Sequence, residues 1–339
     1  MHPIRLEASL HATIWGGRKL EQAVWKQLPE GDVAIGEAWE TETSTIAQNG
    51  PYAGKTLGEL VELLGVHLLG TNAMAVFGRR FPLLAKFLDA RTKLSVQVHP
   101  NDQYAHEHEH GKLGKTEFWY ILATEPGAKI VHGFTEPTTR AKVQQAIEQV
   151  KLEELMHEEP VTPGDVVFVP AGIVHAIGSG VLLYELQEYS DVTYRMYDYG
   201  RLDTQGRPRE LHIERSLDVS HYEASAHIKT RPVTIAEGAT YSERCLVACR
   251  YFVTCEIVLR TQVEGHTSGS CLILSSLGAN LRVRYGQDVQ QSEGLERGQT
   301  MVLPAALGQY VIEGEGAFLC SYVPANEDKT WRLWREQNS

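Results

Sequence analysis

The chain has 339 residues, 42% of them hydrophobic and 22% charged, which is the balance of a folded chain long enough for two domains rather than of a disordered one. A formal net charge of -11 argues against nucleic acid as the main partner, although a local cluster of cations can still hold a small anion in an acidic protein. The apolar runs are too short to span a bilayer, and Arg5, Glu7, Arg18, Lys19 and Glu21 break up the N-terminal stretch, so no signal-peptide core is read there and a cytoplasmic location is expected. The five cysteines, Cys245, Cys249, Cys255, Cys271 and Cys320, form no CxxC pair and read as buried thiols in a reducing compartment.

Residues 1–56 read as short strands and turns. Ile14-Trp15-Gly16-Gly17 sets an aromatic beside two turn formers, and 35–42 reads as a strand with Glu40 and Glu42 on one face, expected to be solvated. Thr56 and Glu59 make a capping box. From 57 to 89 the pattern Leu57, Leu60, Val61, Leu64 is helical, broken at Gly65 and Gly70, and predicts a helical insert among strands.

The pivotal stretch is Leu94-Ser95-Val96-Gln97-Val98-His99-Pro100. Side chains alternate along a strand, so Leu94, Val96 and Val98 share a core face while Gln97 and His99 share the other, free to point at one small object. A divalent metal is the expected object, with a second strand and a later loop supplying further ligands. Next, 101–112 reads as a polar loop whose His106, His108 and His110 are solvated, because no apolar face accompanies them. Residues 115–122 form a strong strand carrying Lys115 and Glu117 on one face, and charge beside such a strand is costly to bury unless paired or metal-bound. A helix is predicted over 138–157, a turn at Pro163-Gly164-Asp165, a buried strand over 166–170, and a return to the site at His175. The strand 181–189 puts Leu183, Glu185 and Gln187 on one face. A connector over 201–235 contains a short helix near 212–219, and strands with glycine turns resume over 236–324.

The stretch Pro163-Gly164-Asp165-Val166-Val167-Phe168-Val169-Pro170-Ala171 aligns without a gap with Arg297-Gly298-Gln299-Thr300-Met301-Val302-Leu303-Pro304-Ala305. Two related β domains follow. Where the first copy has His175 the second has Gln309, so the first reads as the working domain and the second as structural or pocket-closing. The Gly-Asp-x-x-x-x-Pro-x-x-x-x-His spacing resembles the second motif of the cupin superfamily, which implies antiparallel jelly rolls around a metal.

Gln97-Val98-His99-Pro100, Lys115-Thr116-Glu117 and Pro170-Ala171-Gly172-Ile173-Val174-His175 together resemble the type I mannose-6-phosphate isomerases, in their short bacterial form. Trp15-Gly16-Gly17, Gly36-Glu37-Ala38-Trp39-Glu40, Ser190-Asp191-Val192-Thr193-Tyr194-Arg195 and Leu211-His212-Ile213-Glu214 extend the likeness over nearly the whole chain. The resemblance implies a mainly β fold with helical inserts: a catalytic cupin domain over 1–200, the connector 201–235, and a degenerate cupin-like domain over 236–339. It also implies one Zn2+ per chain held by His99, Glu117, His175 and Gln97, the amide being the weakest donor. The implied substrate is a phosphorylated hexose, interconverted between mannose 6-phosphate and fructose 6-phosphate, with no nucleic-acid or membrane partner. Arg195 matches the family's active-site arginine, and Lys115 matches the lysine two residues before the glutamate ligand. Glu185 is a further candidate acid or base. Longer members carry a histidine before that lysine, associated with ring opening, where this chain has Gly114. Two other readings compete: an iron-dependent cupin oxygenase and a non-catalytic sugar-binding cupin.

Overall fold

The computed structural model describes residues 1–202, 206–226 and 228–338. Among them the strands form three antiparallel sheets. The first runs in the order Ser9–Gly17, Ile35–Trp39, Leu83–Ala90, Val181–Glu188, Glu117–Thr124, Val166–Val169. The second runs Tyr194–Tyr197, Val96–Val98, His175–Ile177, Lys129–Phe134, Met156–Pro160. These two sheets make up the first jelly roll, and apolar side chains of Leu88, Trp119, Ile121, Val167, Ile177 and Leu183 form one core cluster within it.

The third sheet builds the second barrel. Its strand Gln309–Tyr322 pairs with Gln262–His266 and Asn280–Tyr285 through its first half and with Val253–Leu259 through its second, so it belongs to both walls. The opening strand Ile4–Leu6 pairs with Thr300–Leu303 of this barrel, not with its own neighbours in sequence.

The repeat has a backbone reason. Gly164 and Gly298 sit at φ of 94° and 69°, in the left-handed region that a side chain resists, just before the aligned strands Val166–Val169 and Thr300–Leu303.

The barrels share a core. Phe118, Tyr120, Leu182, Tyr184 and Leu186 from the outer face of the first sheet pack in one cluster with Cys245, Val247, Phe252, Cys255 and Leu319. This explains why strand Glu117–Thr124 has apolar residues on both faces: one face lines the first barrel and the other meets the second. At the same seam Tyr120 donates to Glu256 at 2.7 Å, and Lys26 meets Glu40 at 2.6 Å in a pair only 8% and 1% exposed. Glu40, expected at the surface, is therefore buried as a structural ion pair.

Three element boundaries differ from the sequence reading. The helical insert consists of Leu57–Leu64, Val66–Leu69 and Thr71–Phe77, with the Thr56–Glu59 capping box in place. It stops there, and Leu83–Ala90 is a strand buried at every position. A continuous apolar run has the same periodicity in a buried strand as in a buried helix. The polar loop begins as a helix, Asp102–His108, capped by Asn101, whose side chain accepts from Tyr104 N at 2.9 Å; His106, His108 and His110 are exposed, as expected. The helix expected over 138–157 covers only Arg140–Glu148, capped by Thr139, and Met156–Pro160 is a strand. Helix Ile213–Val219 lies where the connector reading put it, and Lys329–Asn338 adds a C-terminal helix that the pattern did not announce. All five cysteines are free thiols.

Candidate active site

Register assembles the site. On adjacent strands Arg195, Gln97 and His175 lie directly opposite one another, forming one row across the second sheet. Directly opposed residues of antiparallel strands point to the same face, here the barrel interior. Glu117 opens its strand in the facing sheet, and His99 follows strand Val96–Val98, where Pro100 stops the ladder. Ligand atoms of His99, Glu117 and His175 lie within 4.8 Å of one another. His175 Nε2 is 3.4 Å from Glu117 Oε1, and His99 Nε2 is 3.5 Å from Glu117 Oε2. The Gln97 amide nitrogen is 3.2 Å from His175 Nε2.

Hydrogen bonding fixes the tautomers. His99 Nδ1 lies 2.9 Å from Val192 O, and His175 Nδ1 lies 2.8 Å from Ile173 O. A carbonyl only accepts, so each Nδ1 donates and each Nε2 keeps a lone pair. Burial, reinforced by Lys115 and the neighbouring imidazole, holds His99 well below its ordinary pKa. Burial likewise lowers His175 to about 3. Both rings are neutral at physiological pH, and both lone pairs face a carboxylate.

Glu117 Oε1 and His99 Nε2 have no hydrogen-bond donor among the described residues. Lys115 Nζ makes an ion contact with Glu117 Oε2 at 2.8 Å. Burial beside Glu185 nevertheless raises the Glu117 carboxyl, against the pull of Lys115. Fully buried acceptors that converge without a donor are uncommon, and two imidazoles with a carboxylate are a donor set suited to a divalent metal. The residues present fit such an ion. Among the described residues this is the one such cluster.

The cluster adjoins a cavity of about 440 Å³ whose lining includes Gln97, Lys115, Lys86, Glu185, Arg195 and Arg209. Arg195 is held at its wall by Nε donating to Ser95 Oγ at 3.3 Å and Nη1 donating to Glu210 O at 2.9 Å. Asp191 and Asp198, the alternative partners for Arg195, are taken by Lys112 and by Arg201 with Arg209. Lys86 reaches Glu185 at 3.2 Å and Glu37 at 3.5 Å, and Trp119 Nε1 donates to Glu185 at 3.0 Å. Burial alone would raise Glu185, but Lys115 and Lys86 outweigh it and hold that carboxyl below its ordinary value.

The structure thus brings together all six residues singled out from sequence, and Glu185 with them. Sequence reasoning missed Lys86, Glu37 and Arg209. Lys86 lay inside a stretch read as helical; Glu37 was passed over for Glu40 and Glu42; Arg209 sat in the connector. A single lysine in the otherwise apolar run Leu83-Leu84-Ala85-Lys86-Phe87-Leu88 is the signal that could have found Lys86.

The fold and site define the class: a cupin-type pair of β-barrels with a candidate three-residue metal site in the first. Residues 4–120 match the family model described as phosphomannose isomerase type I, catalytic domain. The mannose-6-phosphate isomerase ManA of Bacillus subtilis is 36% identical over 325 residues, covering 95% of this chain and 99% of its own. The mannose-6-phosphate isomerase of Streptococcus mutans is 34% identical over 326 residues, covering 94% and 98%. The crystal structure of the mannose 6-phosphate isomerase from Bacillus subtilis superposes with a TM-score of 0.84 at 32% identity, over 95% of this chain and 99% of that one. This chain belongs to the type I phosphomannose isomerase family. It is an aldose–ketose isomerase of cupin fold, and no helix among the described residues is long and apolar enough to cross a membrane.

Proposed function

We propose that the chain is a zinc-dependent enzyme interconverting mannose 6-phosphate and fructose 6-phosphate, with one Zn2+ held by His99, Glu117, His175 and, most weakly, Gln97. The observation that carries this reading is the buried convergence of His99 Nε2, His175 Nε2 and the Glu117 carboxylate, in which His99 Nε2 and Glu117 Oε1 have no donor, beside a cation-lined cavity. When bound, zinc supplies a Lewis acid for the sugar's carbonyl and hydroxyl oxygens.

The chain's own groups supply the rest. Arg195 binds the phosphate, for which a guanidinium is suited, and Arg209, whose fork holds Asp198, adds positive charge at the same wall. The oxygens of Glu185 accept from Trp119 and Lys86, which orients that carboxylate toward sugar hydroxyls. Aldose and ketose differ by a proton moved from C2 to C1 and a second moved from O2 to O1, and Lys115 Nζ is assigned to carry the first, taking it as the free amine and delivering it as the ammonium. Trp15, Leu88, Leu94 and Ile177 complete the lining and limit water at the reacting carbons. The catalytic unit is the barrel over 1–200, less its lent first strand; 201–235 is the connector and 236–339 the auxiliary barrel. The cytoplasm is its compartment.

A coupled assay with mannose 6-phosphate, before and after chelation and after zinc is restored, tests this. Turnover should vanish with the metal and return with it. Activity indifferent to chelator, with no metal in the purified protein, would refute it.

A further inference from the structure

Three consecutive amides around Lys115 each donate to a fixed acceptor. Gly114 N donates to Asp102 Oδ1 at 3.0 Å, Lys115 N to Pro100 O at 3.0 Å, and Thr116 N to Glu188 Oε1 at 2.8 Å. Two of the three acceptors are side chains. The other oxygen of Asp102 accepts from Tyr251 of the second barrel at 2.7 Å. Tyr251 is held in turn between Phe77 of the helical insert, with ring centroids 6.1 Å apart, and the guanidinium of Arg250, 4.8 Å from its ring. Glu188 is 1% exposed and has an unpartnered Oε2. Burial and the nearby Asp102 carboxylate push Glu188 up to about 8.

The fit leaves no slack at Gly114. A Cβ there would lie 2.5 Å from Asn101 C and 2.5 Å from Asp102 N, both main-chain atoms that cannot swing aside. The chain runs against the start of helix Asp102–His108, and Asp102 closes the gap from that helix. A segment pinned at three successive amides and pressed on its neighbour has one conformation, and that conformation aims Lys115 at Glu117.

We infer that Asp102, Glu188 and, from the second barrel, Tyr251 are positioning residues that hold the 114–116 backbone and through it set the Lys115 ammonium against the metal cluster. The inference rests on the proposed role of Lys115. It gives the second barrel a part in the chemistry of the first, since the hydroxyl of Tyr251 orients the carboxylate that grips Gly114.

The test combines steady-state kinetics on mannose 6-phosphate with hydrogen exchange at the Gly114 and Thr116 amides, on zinc-loaded full-length protein. Asp102→Ala should lower kcat about 100-fold, the scale of a misplacement near 1 Å, and Tyr251→Phe roughly 3- to 10-fold. KM should stay within about threefold in both, because Arg195 and Arg209 are untouched. Glu188→Gln should be close to wild type, since its amide oxygen still accepts from Thr116 N; Glu188→Leu should not. Exchange should accelerate at least about tenfold at Gly114 in Asp102→Ala and at Thr116 in Glu188→Leu, with zinc content unchanged. Tyr251→Phe removes one surface-seam oxygen and keeps the ring, so it stays informative if the alanine variant fails to fold. Wild-type kcat in Tyr251→Phe, a change in KM alone, unmoved exchange, or zinc loss that accounts for the drop would each overturn the inference. A wild-type protein inert on mannose 6-phosphate would instead sink the functional reading, and the exchange rates would still decide the positioning.

Discussion

In the first barrel His175 opens a short strand, fully buried, opposite Gln97 and one sheet away from Glu117. At the aligned place in the second barrel Gln309 opens the long strand Gln309–Tyr322, exposed, opposite the exposed His266. Leu274, Val283, Met301, Ile312 and Phe318 form the core cluster of the second barrel, where the first carries imidazole and carboxylate. Both copies keep the turn glycine, the apolar strand and the proline. The difference teaches that an apolar alternation and a few turns maintain the barrel, while a handful of inward polar side chains make it a site. Those side chains are expensive to bury without a partner, and the core cluster of the second barrel is apolar.

The largest expected effect sits at the centre of that contrast. His175→Ala should remove most bound zinc and cut kcat/KM by about 10²–10³-fold or more, the scale seen when one electrostatic stabiliser is lost; unchanged metal stoichiometry by elemental analysis would break the contrast. Arg195→Ala should keep the metal and lose about 10²-fold in kcat/KM, since positioning of the substrate is what it supplies, and a near-normal rate would remove it from the site. At the seam, Lys26→Met leaves Glu40 buried without its partner, and urea denaturation should register a loss of about 3–5 kcal/mol, with zinc stoichiometry retained; a smaller loss would mean that the barrels do not depend on this pair. Gln309→Ala should change neither zinc content nor turnover beyond about twofold, as an exposed position away from special features predicts. A metal loss there would mean that the second barrel is not the emptied copy.

Legibility followed the kind of signal. Part of the candidate site was readable because alternation on a strand is local: Gln97 and His99 share a face whatever surrounds them, and Lys115 and Glu117 do likewise, while the full candidate set came from the family resemblance. The repeat was readable because turn chemistry at Gly164 and Gly298 is local too. Lys86 was not readable, because a strand buried on both faces loses the alternation that marks it. Neither was the N-cap of Asp102–His108, whose polar run concealed a helix held by one asparagine.

What the amino-acid order carried by itself was the strand alternation that puts Gln97 beside His99 and Lys115 beside Glu117, and the repeat of glycine, apolar strand and proline, since each rests on periodicity or spacing within a few residues; the cupin fold class and the full set of metal-binding candidates came from the resemblance those motifs carry. Only the tertiary structure decided that Arg195, Gln97 and His175 stand in one row, that Glu40 is sealed at a seam while Glu37 faces the cavity, and that Tyr251 of one barrel reaches the lysine segment of the other. Those relations depend on register and on which sheet faces which, and both are set by the burial of side chains far apart in the chain.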